Sequence, residues 1–384
     1  MRKFSRRTFV QNASAVSLAA YPLLAASQNL SSQRLLLVGT QTAAASKGIY
    51  AYRFDPSTGE LKQIGLAAEA DNPTFLALAP NGKILYAANE LDQFEGKKSG
   101  AVSSFTLDRE RAKLTMINKV ASRGDGTCHV SVDNTGRCAF AANYGGGSAA
   151  SFFSTDGHLS EAVSFFQFEG HGPEKQQSGP RAHRVTTSPD NRFLLVNDLG
   201  LDVIHIYQLD ATTAKLTPNN PSEWKTTPGS GPRALRFHPN GKWAYCVNEL
   251  KSTVNVLRWD ASRGALETAQ EISMLPEGHQ GPSAASDIAI DSRARFAYVA
   301  NRLDDFLVTF AVSPGDAKLT LLGRSSCGGK VPRHLTLDPS ESWLLVANQA
   351  SDNIAVFARD KQTGRLADQG KSFPLSKPQC LIFA

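Results

Sequence analysis

Arg233 stands just before one apolar run and Glu249 just after the next, in GPRALRFHPNGKWAYCVNEL at 231–250. His183 opens the run HRVTT, and Arg302 closes FAYVANR. These residue types suit one kind of chemistry. An imidazole or carboxylate can take a proton from water, and guanidinium groups can hold a developing oxyanion or an anionic substrate group. The plainer alternative for Arg233 and Glu249 is an ion pair that closes a piece of structure. A serine nucleophile is not indicated, because no G-x-S-x-G elbow is present. The triple glycine at 145–147 follows an apolar run but opens no helical pattern, so it does not read as a phosphate loop.

The bracketed hairpin is a repeat. TFLALAPNGKILYAANE (74–90), CHVSVDNTGRCAFAANY (128–144), HRVTTSPDNRFLLVND (183–198), RALRFHPNGKWAYCVNE (233–249), SDIAIDSRARFAYVANR (286–302) and RHLTLDPSESWLLVANQ (333–349) share its plan. A seventh copy is split between QCLIF at the C-terminus and RLLLVGTQ at 34–41. Equivalent polar residues at Thr40, Asn89, Asn143, Asn197, Asn248, Asn301 and Asn348 recur every 47 to 54 residues. Each hairpin is followed by a third run, such as TVNVLRWD, then a Gly turn and a fourth run. Four antiparallel strands per repeat of about 50 residues describe a propeller blade. A β-sandwich would show no such period. The split copy supplies closure, since an open array would leave sticky edges. The expectation is all-β: one seven-bladed β-propeller over 28–384, its last blade closed by N- and C-terminal strands.

That architecture positions the chemistry. A blade's first strand is innermost and its second returns beside it, so first-strand starts and second-strand ends share one mouth of the channel. The starts are Thr74, Cys128, His183, Arg233, Ser286, Arg333 and Gln379. The ends are Gln41, Glu90, Tyr144, Asp198, Glu249, Arg302 and Gln349. His129, Asp287 and His334 sit one residue further in. This polar crown is the candidate site, and within it His129, Asp198, Asp287 and Arg333 would shape a substrate pocket. His238 lies in a turn and reads as structural, while His158, His171 and His205 fall off the crown.

The first 27 residues are of another kind. SRRTFVQ precedes an alanine-rich apolar stretch ending in Ala25-Ala26-Ser27. This resembles a twin-arginine export signal, which would engage the corresponding export machinery and leave a periplasmic protein with no membrane attachment after cleavage. The segment holds Arg2, Lys3, Arg6 and Arg7 and no acid, so removing it lowers the formal charge from +6 to +2. No basic run with interleaved aromatics remains, which argues against nucleic acid as a partner. The five cysteines form no CxxC pair or metal-spaced set and read mostly as buried apolar fillers.

GPRxxxFHPNGKxAYxVNEL, the period and the split blade together resemble the seven-bladed β-propeller lactonases. These are the bacterial propeller-type 6-phosphogluconolactonases and their relative, the fungal carboxymuconate lactonizing enzyme. The resemblance spans the whole chain after the leader. It implies a histidine, two arginines and a glutamate at the site. By motif these fall on His183, on Arg233 of GPR, on Glu249 of VNEL and on Arg302 of VANR. The implied activity is hydrolysis of a sugar lactone, a small-molecule substrate, by base-assisted attack of water, with His183 or Glu249 as the base. No cofactor or metal is required, although His129, Asp287 and His334 are types that bind one. A lactone-forming cyclase and a non-catalytic ligand-binding propeller are the alternatives.

Overall fold

A computed structural model describes residues 33–42 and 45–384. The expected leader, residues 1–27, lies outside the described residues. Arg34–Ala384 form a single unit of seven four-stranded antiparallel sheets. Blade 1 pairs the C-terminal strand Pro378–Phe383 with Arg34–Thr40, with Leu37 opposite Ile382 and Val38 opposite Leu381. Blades 2 to 7 follow in chain order and begin with the strands Pro73–Leu78, Thr127–Val132, Ala182–Thr187, Pro232–Phe237, Ala284–Ile290 and Pro332–Leu337. Each first strand neighbours the first strands of both adjacent blades, which closes the ring around a channel. Among the described residues no helix is long and apolar enough to cross a membrane.

The sequence pattern explains the packing. Second strands such as Ile84–Asn89 and Cys138–Asn143 are buried at every position. They read as unbroken apolar runs because both faces are covered by neighbouring blades. Seven hydrophobic clusters fill the seven blade interfaces, and each draws on two adjacent blades. The fourth strands, such as Leu366–Pro374, are outer edges and are largely exposed. Their pairing is broken by register shifts, as at Val356/Phe357, and four of the seven carry lysines, both of which discourage edge-to-edge association. All five cysteines are buried and unpaired, as fillers should be.

Polar pins tie blade to blade. Tyr245 donates to the Ala317 carbonyl at 2.9 Å and Tyr298 to the Gly364 carbonyl at 2.8 Å, each reaching the next blade. Gly364 has φ +73°, and a Cβ there would lie 2.3 Å from the ring of Phe296, so the turn needs glycine on both counts. Between blades 6 and 7, fully buried Arg359 donates to Asp291 Oδ2 at 2.6 Å and to the Tyr298 hydroxyl at 2.7 Å. Asp291 Oδ1 in turn accepts the Arg295 and Phe296 amides of the hairpin turn. Arg359→Ala would leave that carboxylate buried with only Arg295 Nε, 3.9 Å away, as counter-charge. Such losses run to about 3–5 kcal/mol, so urea unfolding of the variant should show a deficit of that size. A loss under about 1 kcal/mol would show that solvent replaces the pin.

Candidate active site

The crown residues owe their positions to a bulge repeated around the ring. In blade 4, Ala182 pairs with Asp198 and Arg184 with Asn197, so His183 is an extra residue. Arg233 occupies the same place between Pro232 and Ala234, and Arg333 between Pro332 and His334. Thr74, Cys128 and Gln379 do so in their blades, and blade 6 shifts register between Ala285 and Ile288, around Ser286 and Asp287. A bulge re-aims side chains. Here it allows consecutive residues to line one recess, where strict alternation would send them to opposite faces: Cys128 with His129, and His183 with Arg184.

Two ion-pair systems occupy the channel. At the mouth, Glu249 Oε2 lies 2.8 Å from Arg233 Nε and 2.5 Å from Arg302 Nη2. Arg233 also donates to the Ser286 carbonyl, and Arg333 Nε donates to Gln379 Oε1 at 3.0 Å. Further in, Arg184 Nη1 donates to Asp287 Oδ1 across the ring at 2.7 Å, and His334 Nε2 stands 3.4 Å from Asp287 Oδ2. The Val185 amide is 3.4 Å from His129 Nδ1, and the Leu381 amide 3.3 Å from His334 Nδ1. These donors assign the proton of each neutral ring to Nε2. Phe75 packs on both rings.

Charge and burial set the protonation states. Burial, then Arg233, Arg333 and Arg302, holds His183 well below the usual imidazole range. Burial and Arg184 do the same to His129, and burial brings His334 to about 4. All three rings are therefore neutral at pH 7. Burial alone would raise Glu249, but Arg302 and Arg233 outweigh it and keep the carboxylate ionised. Asp287 is held low in the same way by Arg184, His334 and Arg236. Burial pushes the Cys128 thiol up to about 12, so it is no thiolate nucleophile.

This has a stability consequence whose sign is definite. The unfolded chain protonates these histidines below about pH 6.5, while the folded chain resists until well below that. The unfolded state then binds more protons, so stability is complete above pH 6.5 and is lost as pH falls toward 4. Unfolding free energy measured in urea from pH 7 to 5 should fall steadily, and His334→Gln should flatten the slope. An identical slope in that variant would remove His334 from the account.

Of the eight expected site residues, His183, Arg233, Arg333, His129 and Asp287 line one recess, with Glu90 and Arg184. Glu249 and Arg302 line an adjoining recess with Lys251, joined to the first by the Arg233–Glu249 pair. Asp198 stands at the end of the second strand as expected but lines neither recess, and its fully buried Oδ2 lies 3.8 Å from His205 Nε2. Oδ1 accepts the amides of Arg181 at 2.7 Å, Gly200 at 2.9 Å and Leu201 at 3.2 Å, so it shapes a loop and not the recess. His129, Asp287 and His334 do not form a metal-ligand group, and none of three or more His, Cys, Asp or Glu occurs among the described residues. Sequence reasoning passed over Arg184 and Phe75. Both occupy the register of His129, Asp287 and His334, which was the signal for them.

Residues 35–383 match the family described as Lactonase, 7-bladed beta-propeller. The chain is 33% identical over 347 residues to the 6-phosphogluconolactonase of Bacillus subtilis, covering 90% of this chain and 97% of that one. Among solved structures, the periplasmic gluconolactonase of Pseudomonas aeruginosa superposes with a TM-score of 0.87 at 34% identity, covering 92% of this chain and 99% of the other. A putative 6-phosphogluconolactonase of Bacteroides fragilis gives 0.85 at 34% identity, over 92% and 98%. With seven blades of its own and a family match that spans residues 35–383, this protein belongs to the seven-bladed β-propeller lactonase family.

Proposed function

We propose that the protein hydrolyses a sugar lactone in the recess at the crowned mouth, with His183 as the base. The observation that carries this is a neutral imidazole sharing one recess with the guanidinium groups of Arg233 and Arg333. Water attacks the ring ester carbonyl and gives its proton to His183. The carbonyl oxygen becomes an oxyanion beside Arg233 and Arg333. As that negative charge develops, it offsets the arginines that now disfavour imidazolium, so His183 becomes a stronger base along the reaction. The carbon–oxygen bond of the ring then breaks, and His183 returns the proton to the ring oxygen. The product is an open-chain hydroxy acid. Glu249 is bound on one oxygen by two arginines and serves to orient them.

Arg184, Arg233, Arg302, Arg333 and Lys251 outnumber Glu90, Glu174, Glu249 and Asp287 around the two recesses. That excess suits a substrate carrying a phosphate or carboxylate, and the relatives named above include a 6-phosphogluconolactonase and a gluconolactonase. The decisive experiment is a pH-stat assay against glucono-1,5-lactone, its 6-phosphate and a muconolactone. Turnover of either gluconolactone well above its spontaneous opening is expected. Rates equal to the spontaneous ones for all three would end the proposal. The leader supports a periplasmic location. Lysine at both Arg6 and Arg7 should block export, and unchanged export would count against the twin-arginine route.

A further inference from the structure

We infer that the opposite mouth of the channel, on the hairpin-turn side, is a second site that binds a small oxyanion, a carboxylate or phosphate. The first strands of blades 2 to 5 line a funnel there. Ser131, Thr186 and Arg236 stand at one level on three consecutive blades, opposite Phe140, Leu195 and Tyr245 of their own second strands. His129 and Arg184 are two residues nearer the crown on the same strands. Between them, Val130, Val185 and Leu235 pack into the blade interfaces. The period of two therefore leaves the polar residues for the channel.

What marks a ligand is a set of unmet donors. His129 Nε2, Ser131 Oγ, Thr186 Oγ1, Thr187 Oγ1 and Arg236 Nε are all buried without a hydrogen-bond partner, and all five residues line this funnel. Buried polar groups in a folded protein are nearly always satisfied. Since His129 Nδ1 faces the Val185 amide, its Nε2 carries a hydrogen. The hydroxyls donate freely, and Arg236 has nothing but donors. No aspartate or glutamate lines the funnel. Asp287, whose charge Arg236 feels, already holds Arg184 on one oxygen and faces His334 with the other, and Arg236 also lines a neighbouring recess with Asp338 and Glu341 without pairing with either. Arg236, half-buried, thus has no ion-pair partner of its own among the described residues. Water can satisfy the hydroxyls, but it cannot balance that charge, whereas an oxyanion does both. His129 and Arg184 line both this funnel and the crowned recess, so the two mouths share a floor.

The test is calorimetric titration of the purified protein with inorganic phosphate and, separately, with gluconate, at constant ionic strength. Saturable binding of at least one probe is expected. Read in an Arg333→Ala background, where the crown no longer contributes its own anion binding, Arg236→Gln should weaken it tenfold or more and Thr186→Val several-fold. The two probes separate phosphate from carboxylate as the preferred group. Binding that survives Arg236→Gln and disappears with Arg333→Ala would place the anion at the crown and overturn the inference. No saturable binding of either probe would overturn it as well. If Arg236→Gln does not fold, Thr186→Val decides by the same criterion. None of these readouts depends on turnover, so failure of the lactonase proposal and failure of this one are distinguishable.

Discussion

Arg233→Ala should lower kcat for lactone hydrolysis by about 10²–10³, the loss typical of removing one oxyanion donor. The guanidinium is buried, held between Glu249 and the Ser286 carbonyl, and raised into the recess by the bulge of its strand. Its position is therefore preorganised and needs no rearrangement when charge appears on the substrate. Arg233→Lys should recover only part of the loss, because an ammonium cannot contact Glu249, Ser286 and an oxyanion with one fork. Steady-state kinetics on the lactone identified by the pH-stat assay would check both variants. A rise in KM at unchanged kcat would mean that Arg233 binds ground state and transition state alike and is no oxyanion donor.

His183→Asn should reduce kcat by about 10²–10⁴, the range for loss of a general base. The melting temperature at pH 8 should change little, since the neutral ring's nearest side-chain polar contact is the Cys128 sulfur at 3.9 Å and no ion pair holds it. Glu249→Gln provides the contrast. Removing that charge leaves Arg233 and Arg302 without their shared counter-ion, so the expected result is a smaller fall in kcat together with a lower melting temperature. The reverse pattern, collapse of turnover in Glu249→Gln at unchanged stability with His183→Asn active, would make Glu249 the base.

The positioning elements were more legible than the site they carry. Repetition of the hairpin with a period near 51 residues marks the blades, and the split between QCLIF and RLLLVGTQ marks the closure seen as Leu37 opposite Ile382. The crown follows from strand order alone, which puts His183, Arg233, Glu249 and Arg302 at one mouth. Strand order could not reveal which crown residues turn inward. Asp198 and Glu249 hold equivalent places at second-strand ends, yet Asp198 is captured by two amides of its own loop and by the Arg181 amide ahead of the blade's first strand, while Glu249 meets arginines of two blades.

The sequence by itself determined the number of blades, the mode of closure and the mouth at which the crown residues gather. These depend on period and strand direction, which run along the chain in one dimension. Only the tertiary structure decided the pairings across the channel, Arg184 with Asp287 and Arg302 with Glu249, and the unmet donors around Arg236. Those depend on a one-residue bulge that re-aims each first-strand start and on the width of the ring. They also depend on which neighbour, backbone amide or distant side chain, wins each carboxylate oxygen. The competition runs between residues up to 103 positions apart, where no local pattern records the outcome.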